Sequence, residues 1–433
     1  MSPMSFKGKT AVELFALALA LATSLAQTFY ASEPHDFPVS GEPVPKHLRW
    51  LDEHAKSLVR HWAIPGGAIA VYKDGQLVFA RGYGYADIDK HQPVNPTTSL
   101  FRIASLSKPI TAAAVMKLEE QGRLNMDDKA LNLLDATSLP TVKKDKRLSG
   151  ITVKDLLNMT AGWDRERSGD PILQPYIRRA ARHFHTGSAA DFDTTLRYVF
   201  SKRLDFTPGT RFAYSNFTYG LLGKIIERQS GKDYVSFVRE NIFNPCGVQL
   251  YPGRTLAQDR WPDEVAYYAP LEPQARPFLP CRERLVGAPY SRAYMEADVP
   301  MLGWLASAPN LAKLFDKLFA DEQVLSPESK AQIVECPDVA CWRGKRRFFS
   351  MGWEVIKDRQ GRIILYKDGT LPGTRAFVEH TADGITWVAL FNARPPEQKP
   401  DKFAKQLQDL MSTGLDSLPS KQTAGVLGCP PAH

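Results

Sequence analysis

The stretch "FRIASLSKPITAAAVMKLEEQG", residues 101–122, carries Ser105 and Lys108 in the spacing Ser-x-x-Lys. A serine hydroxyl is a weak nucleophile until a neighbouring base takes its proton. The pattern predicts an amphipathic helix that begins near Ser105, runs to about Gln121 and stops at Gly122. Ser105 and Lys108 then lie one turn apart on one face, with Cβ atoms about 5 to 6 Å from each other. Ser107 points elsewhere. Lysine serves as base only when deprotonated, a state favoured by burial at the positive end of a helix beside a second cation. General-base help of this kind contributes about 100- to 10,000-fold in rate. A Ser cap and a Lys at an exposed helix start produce the same spacing, so the pair needs companions.

Two further stretches supply them. In "FTPGTRFAYSNFTYGLLGKIIERQSG", Tyr214-Ser215-Asn216 precedes a helical pattern over residues 219–228. Residues two apart in extended chain point the same way. Tyr214 is therefore a candidate to relay a proton to a leaving group, and Asn216 to bind a substrate carbonyl or the lysine. A core tyrosine and a capping asparagine explain the segment alone equally well. In "LYKDGTLPGTRAF", Lys367-Asp368-Gly369 is expected to end a strand, with Gly369 letting a substrate backbone approach the sheet edge. Thr370 N–H would join Ser105 N–H as an oxyanion hole, where losing one donor costs roughly 3 to 4 kcal/mol. An Asp-Gly turn is the plain alternative, and "YKDGQ" at residues 72–76 shows how readily that dipeptide arises.

These residues must be held by surrounding elements. Residues 47–62 have apolar positions at helical spacing, and residues 68–72 and 77–83 form two β-rich runs joined by an Asp-Gly turn, a hairpin. Helical patterns dominate residues 106–318, interrupted by Pro- and Gly-rich stretches, above all residues 251–292. Strand character returns in "FFSMGWEVIKD", "RIILYKDG" and "AFVEHTADGITWVALFNA", followed by a last helix over residues 401–415. Strands at both chain ends around a helical middle imply one sheet built from the two ends, an inserted helical unit and a cleft between them.

The chain has 433 residues, 43% of them hydrophobic, enough for a large core. Lys7 and Lys9 precede an apolar run over residues 11–25, and Ser24-Leu25-Ala26 offers a small-x-small cleavage site, so residues 1–26 read as a secretory signal. Glu13 inside that run keeps an uncleaved anchor as the alternative, and only then would a membrane be a partner. The expected location is periplasmic or secreted. The net charge of +8 is dispersed, without the basic and aromatic interleaving of a nucleic-acid surface. "YIRRAARHFH", the densest basic cluster, reads as a solvated helix face, and His183 and His185 lack a nearby third metal ligand. Of Cys246, Cys281, Cys336, Cys341 and Cys429, the odd count leaves a thiol unpaired, and Cys336 with Cys341 is a candidate disulfide in an oxidising compartment.

Taken in order, Ser-x-x-Lys, Tyr-x-Asn and Lys-x-Gly make the sequence resemble the serine β-lactamase and penicillin-binding-protein superfamily. It is most similar to the class C β-lactamase-like branch that also holds esterases and D-amino-acid peptidases. "IPGGAIAVYKDGQ", "ITVKDLLNMTAGWD", "PGTRFAYSN", "GWLASAPNLAKLF" and "WVALFNA" extend the resemblance over residues 62–392. It implies an α+β fold of the β-lactamase/transpeptidase kind, an antiparallel sheet flanked by helices with a mostly helical insertion. The expected units are a signal (1–26), a sheet domain from both ends (27–130 and 340–415), the insertion (131–339) and a tail (416–433). It further implies that Ser105 is acylated, Lys108 assists as base, Tyr214 transfers protons, Asn216 binds substrate and Lys367 gives the cleft positive potential. No metal or organic cofactor is implied. Lys-Asp-Gly departs from the family's usual small hydroxyl residue, and on a strand Asp368 would point away from Lys367.

The favoured reading is an exported serine hydrolase that cleaves an ester, amide or β-lactam bond in a small molecule or peptide, peptidoglycan fragments included. A penicillin-binding protein that deacylates slowly, or a non-catalytic peptidoglycan-binding scaffold, are the alternatives. Composition leaves the oligomeric state open.

Overall fold

The computed structural model describes residues 37–135, 145–186, 191–277, 285–291, 293–337, 339, 341–342, 346–395, 401–416 and 418. The expected signal, the tail beyond residue 418 and Cys281 and Cys429 lie outside them. Seven strands carry the main sheet: β1 (Gly66–Lys73), β2 (Gln76–Asp87), β3 (Arg347–Ser350), β4 (Trp353–Lys357), β5 (Ile363–Leu371), β6 (Thr374–His380) and β7 (Ile385–Phe391). Their spatial order is β2-β1-β7-β6-β5-β4-β3, antiparallel throughout, with short strands Val39–Ser40 and Cys341–Trp342 at the two edges. The two ends of the chain meet where β7 pairs with β1, Phe391 opposite Gly67 and Ile385 opposite Lys73. Two of the three late strand runs are therefore hairpins. Met351-Gly352 turns β3 into β4, and a short loop turns β6 into β7.

Both faces of the sheet centre are buried, and side-chain alternation sorts the residues. Ala68, Ala70, Val388 and Leu390 enter the core on one face. Their neighbours Ile69, Val71, Trp387, Ala389 and Phe391 enter the core on the other. This double burial explains why β1 and β7 read as unbroken apolar runs. The second face is covered by α1 (Arg49–His61) and α5 (Lys402–Leu415), which contribute Leu51, Ala55, Val59, Phe403, Leu407 and Met411. On the first face α2 (Ser107–Glu120) and α3 (Asn216–Ser230) pack on each other within the same apolar core, and α4 (Ala308–Ala320) is the helix that covers the strands.

The expected amphipathic helix at the serine is a correction. Residues Ser107 to Met116 of α2 are all buried, and the exposed turn comes only at its end, where Gly122 takes φ +66°. A helix apolar all round belongs in a core, and α2 is the central one. Cys336 is disulfide-bonded and Cys246 is a buried free thiol; the side chain of Cys341 lies outside the described residues. None of the described helices is long and apolar enough to cross a membrane.

One buried polar group links the sheet to α4. His380 Nδ1 on β6 lies 2.7 Å from Thr386 Oγ1 on β7, and that hydroxyl reaches Asp316 Oδ1 on α4 at 3.4 Å. Burial pushes the His380 imidazole down from 6.5 to about 4. Burial raises the Asp316 carboxyl from 3.8 to about 6, against the pull of Thr386 and Lys317. The two oppose each other in a pH titration. Between pH 6.5 and 4 the unfolded chain binds a proton on His380 that the folded protein refuses, so acidification withdraws about 3 kcal/mol of stability. Over pH 6 to 4 the folded protein binds the Asp316 proton more readily, which restores part of it. Asp316→Asn should therefore leave His380 unopposed and give a steeper fall in Tm from pH 6.5 to 4 than the parent shows. Thermal melts across that range check it.

Candidate active site

The chain reaches Ser105 through a short strand, Phe101–Arg102, pinned opposite Ala306 and Leu305, and Ile103 N–H donates to Trp304 O at 3.0 Å. Ala104 then adopts φ +49°, a left-handed conformation that costs a residue with a β-carbon about 1 to 2 kcal/mol. Ser105 sits in the single 3-10 turn Ala104–Leu106, just before α2 rather than within it. The contact predicted from helical spacing survives this shift, because Lys108 Nζ donates to Ser105 Oγ at 3.1 Å. Ser107 does point elsewhere, its Oγ accepting Trp304 N–H at 3.3 Å.

Lys-Asp-Gly does not end a strand; it lies inside β5. β4 stops pairing at Glu354 opposite Tyr366, so from Lys367 onward no strand among the described residues flanks β5 on that side. The β5–β6 hairpin closes at Leu371 opposite Thr374 around Pro372 and Gly373, the latter at φ +68°. Alternation of antiparallel pairs from that turn aims Thr370 N–H at the open flank. The reason for glycine at 369 also differs from the expectation. A Cβ there would lie 2.5 Å from Ile103 O and 3.0 Å from both Ala104 Cβ and Ser105 N. The serine's own turn, not a substrate, requires the bare backbone.

Lys108 is fully buried, and its three donor directions are all taken: Ser105 Oγ at 3.1 Å, Asn216 Oδ1 at 2.7 Å and Met301 O at 2.8 Å. Burial and the nearby Lys367 charge lower its pKa, while Tyr214 and Asp170 pull it back up. Deprotonated, it would keep two N–H groups on Asn216 and Met301 and turn its lone pair toward Ser105. Tyr214 Oη–H donates to the same Ser105 oxygen at 2.9 Å. Burial works to raise the Tyr214 phenol, but the charges of Lys108 and Lys367 outweigh it and bring it down to about 8. The Tyr214 ring is surrounded by cations: Arg165 Cζ at 4.6 Å, Lys108 Nζ at 5.2 Å and Lys367 Nζ at 5.5 Å from its centroid.

Tyr214 and Asn216 reach one site from the start of α3, which begins at Asn216 rather than at residue 219. Asp368 meets two cations. The Arg375 guanidinium donates to it at 2.6 Å and also pairs with Asp401, the N-cap of α5. Lys367 Nζ lies 3.7 Å from its other oxygen, so the two neighbours do not point apart as strand alternation implies. Burial acts to raise the Asp368 pKa, yet the Lys367 and Arg375 charges hold it below the usual carboxylate range. The acidic residue in Lys-Asp-Gly thus ties the strand to α5. Sequence reading missed Asp170, Arg165, Met301 and Ala104. Asp170 Oδ2 accepts Asn216 Nδ2–H at 2.6 Å, yet "SGDPIL" carries no motif that would announce it. Among the described residues no group of three or more His, Cys, Asp or Glu could hold a metal.

Two outcomes follow from this packing. Gly369→Ala should displace the serine turn and lower kcat about 100-fold, the scale expected for a shift of about 1 Å in a reacting group, with the far-UV circular dichroism unchanged. Tyr214→Phe should delete the ionisation near 8 from the pH profile of kcat/KM, measured on any ester the parent turns over.

The same arrangement has relatives. A sequence model of the family described as Beta-lactamase matches residues 51–410. Protein flp of Staphylococcus aureus strain MW2 is 30% identical over 188 residues, 43% of this chain and 34% of the relative. A D-aminopeptidase of Gluconobacter oxydans is 26% identical over 352 residues, 79% of this chain and 58% of the relative. The chain thus spans between a third and three fifths of these relatives' lengths. In fold it is similar to the D-amino acid amidase of Ochrobactrum anthropi SV3, with a TM-score of 0.64 at 18% identity over 86% of this chain and 99% of the other. It is likewise similar to the octameric penicillin-binding protein homologue of Pyrococcus abyssi, with a TM-score of 0.61 at 22% identity over 85% and 78% of the two chains. A family match over that span, on a structure that brings Ser105, Lys108 and Tyr214 together, shows that this chain belongs to the beta-lactamase family.

Proposed function

We propose that the protein is exported and cleaves an amide or ester bond beside a D-configured residue, through an acyl-enzyme on Ser105. The observation that carries the mechanism is convergence on one oxygen: Lys108 Nζ at 3.1 Å and Tyr214 Oη at 2.9 Å both meet Ser105 Oγ. Neutral Lys108 takes the Ser105 proton as Oγ attacks the carbonyl carbon, and the carbonyl electrons move onto oxygen. Ser105 N–H and Thr370 N–H are the donors for that oxyanion. Its collapse breaks the bond to the leaving group, which receives a proton through Tyr214. Water then attacks the acyl group by the same route in reverse, releasing the acid and restoring Ser105.

The D-configured substrate is supported by the D-aminopeptidase and D-amino acid amidase among the similar proteins. Lys367 and Arg165 beside Tyr214 favour a substrate that also bears a carboxylate. Export is supported by Lys7, Lys9 and the apolar run that follows them. A penicillin-binding protein with slow deacylation would use the same residues, and only the lifetime of the acyl group distinguishes it.

Intact-mass spectrometry of the protein and its Ser105→Ala variant, incubated with benzylpenicillin and separately with a D-amino acid amide, tests the reading. Amide turnover and a short-lived adduct, both lost in Ser105→Ala, are expected. A persistent penicilloyl adduct would favour the slow-release reading, and turnover by Ser105→Ala would overturn the nucleophile. Lys367→Ala should reduce kcat/KM for a D-peptide with a free carboxylate by about tenfold more than for its amidated form. Paired assays on the two substrates check it.

A further inference from the structure

Asp170 is buried, lies outside the Ser-x-x-Lys, Tyr-x-Asn and Lys-x-Gly stretches, and joins none of the steps above. Its two oxygens have separate partners. Oδ2 accepts Asn216 Nδ2–H at 2.6 Å, and Oδ1 accepts Ile172 N–H at 3.4 Å. On the far side of the same amide, Asn216 Oδ1 accepts from Lys108 Nζ at 2.7 Å. An ionised carboxylate only accepts and an ammonium only donates, so an amide between them has one satisfying orientation. Oxygen faces the lysine and nitrogen faces the acid.

That orientation bears on the chemistry. With Asn216 oxygen and Met301 O each holding one Lys108 N–H, the lone pair of the neutral amine is left for Ser105 Oγ. A flipped Asn216 would offer its NH2 group to that lone pair and divert the base from the serine. We propose that Asp170 is a positioning residue for Lys108, acting through the orientation of the Asn216 amide. The inference rests on Lys108 being the base of the proposed reaction.

Asp170→Asn is nearly isosteric and tests it. Ile172 N–H would draw the new amide oxygen, so the new NH2 would face Asn216 and turn it over. The readout is the rate at which a fluorophosphonate labels Ser105, followed by intact mass against pH, which needs no natural substrate. The charged or titratable groups around Lys108 are Tyr214 just before α3, Tyr219 within it, Lys367 from β5, Asp298 from the loop before Met301 and Asp170 itself, Tyr219 being kept neutral by burial. In Asp170→Asn the carboxyl at 170 is removed, and its upward push on the Asp298 carboxyl goes with it, while burial still holds that carboxyl well above the usual range. Labelling at the plateau should fall roughly 10- to 100-fold, the range for a partner one shell out. The acidic limb should move to lower pH, because Lys108 loses both an acceptor and a nearby negative charge.

The double variant Asp170→Asn with Asn216→Asp restores the order, since the amide now at position 170 can donate to the carboxylate now at position 216, and that carboxylate can accept from Lys108. It should label faster than Asp170→Asn, with its acidic limb above the parent's. If Asp170→Asn alone does not fold, the double variant carries the test through the same limb. A parental plateau and limb in Asp170→Asn, or a folded double variant that neither regains labelling nor shifts its limb, would overturn the positioning role alone. An unlabelled parent would overturn the Ser105 nucleophile and this role with it.

Discussion

The constraint on which the rest depends is the placement of one ammonium group in the protein interior. Moving a lysine headgroup out of water without partners costs several kcal/mol, and the chain meets that with three acceptors drawn from three separate regions. Ser105 lies one turn away on the chain, Asn216 comes from the start of α3, and Met301 O comes from the loop ahead of α4. The same burial that demands these acceptors weakens the hold of Lys108 on its proton. Lys367 adds a second positive charge, and Tyr214 responds to both by becoming more acidic. Stability and reactivity at this point are one electrostatic balance.

A second constraint is steric and concerns the backbone. Ala104 is held in a left-handed conformation, and the Ile103–Ser105 turn lies so close to β5 that residue 369 has no room for a side chain. The turn is also tied by Ile103 N–H to Trp304 O. Held on both sides, Ser105 presents its oxygen without relying on helix geometry, which is why a serine in a 3-10 turn still meets Lys108.

Much of this was legible beforehand for identifiable reasons. The β1–β2 hairpin was marked by an Asp-Gly turn between β-rich runs, and Ser105, Lys108, Tyr214 and Asn216 by short local spacings. The sheet made of both chain ends followed from where strand character appeared. What stayed hidden depends on contacts between distant residues. Asp170 has no local motif, and its importance comes from a partner 46 positions away. The strain at Ala104 belongs to the surrounding packing, since alanine itself does not prefer that conformation. The full burial of α2 was missed because its small residues and lysine resemble a half-exposed face, whereas the helix is packed against α3 and the helical segment over residues 234–243, where Thr111 meets Tyr234 at 2.6 Å.

The junction between β7 and β1 has a consequence for how the chain matures. The β1–β2 hairpin is made early, yet the strand that pairs with the open side of β1 is the last of the main sheet to be synthesised. Until then β1 offers a row of unsatisfied backbone groups, a template for association with other chains. Lys367 and Gly369 arrive almost as late, so the serine turn has no strand to lean on for most of synthesis. The surroundings of Ser105 can thus be completed only near the end of assembly, and a chain truncated before β7 would retain the Ser-x-x-Lys motif while lacking the sheet that positions it.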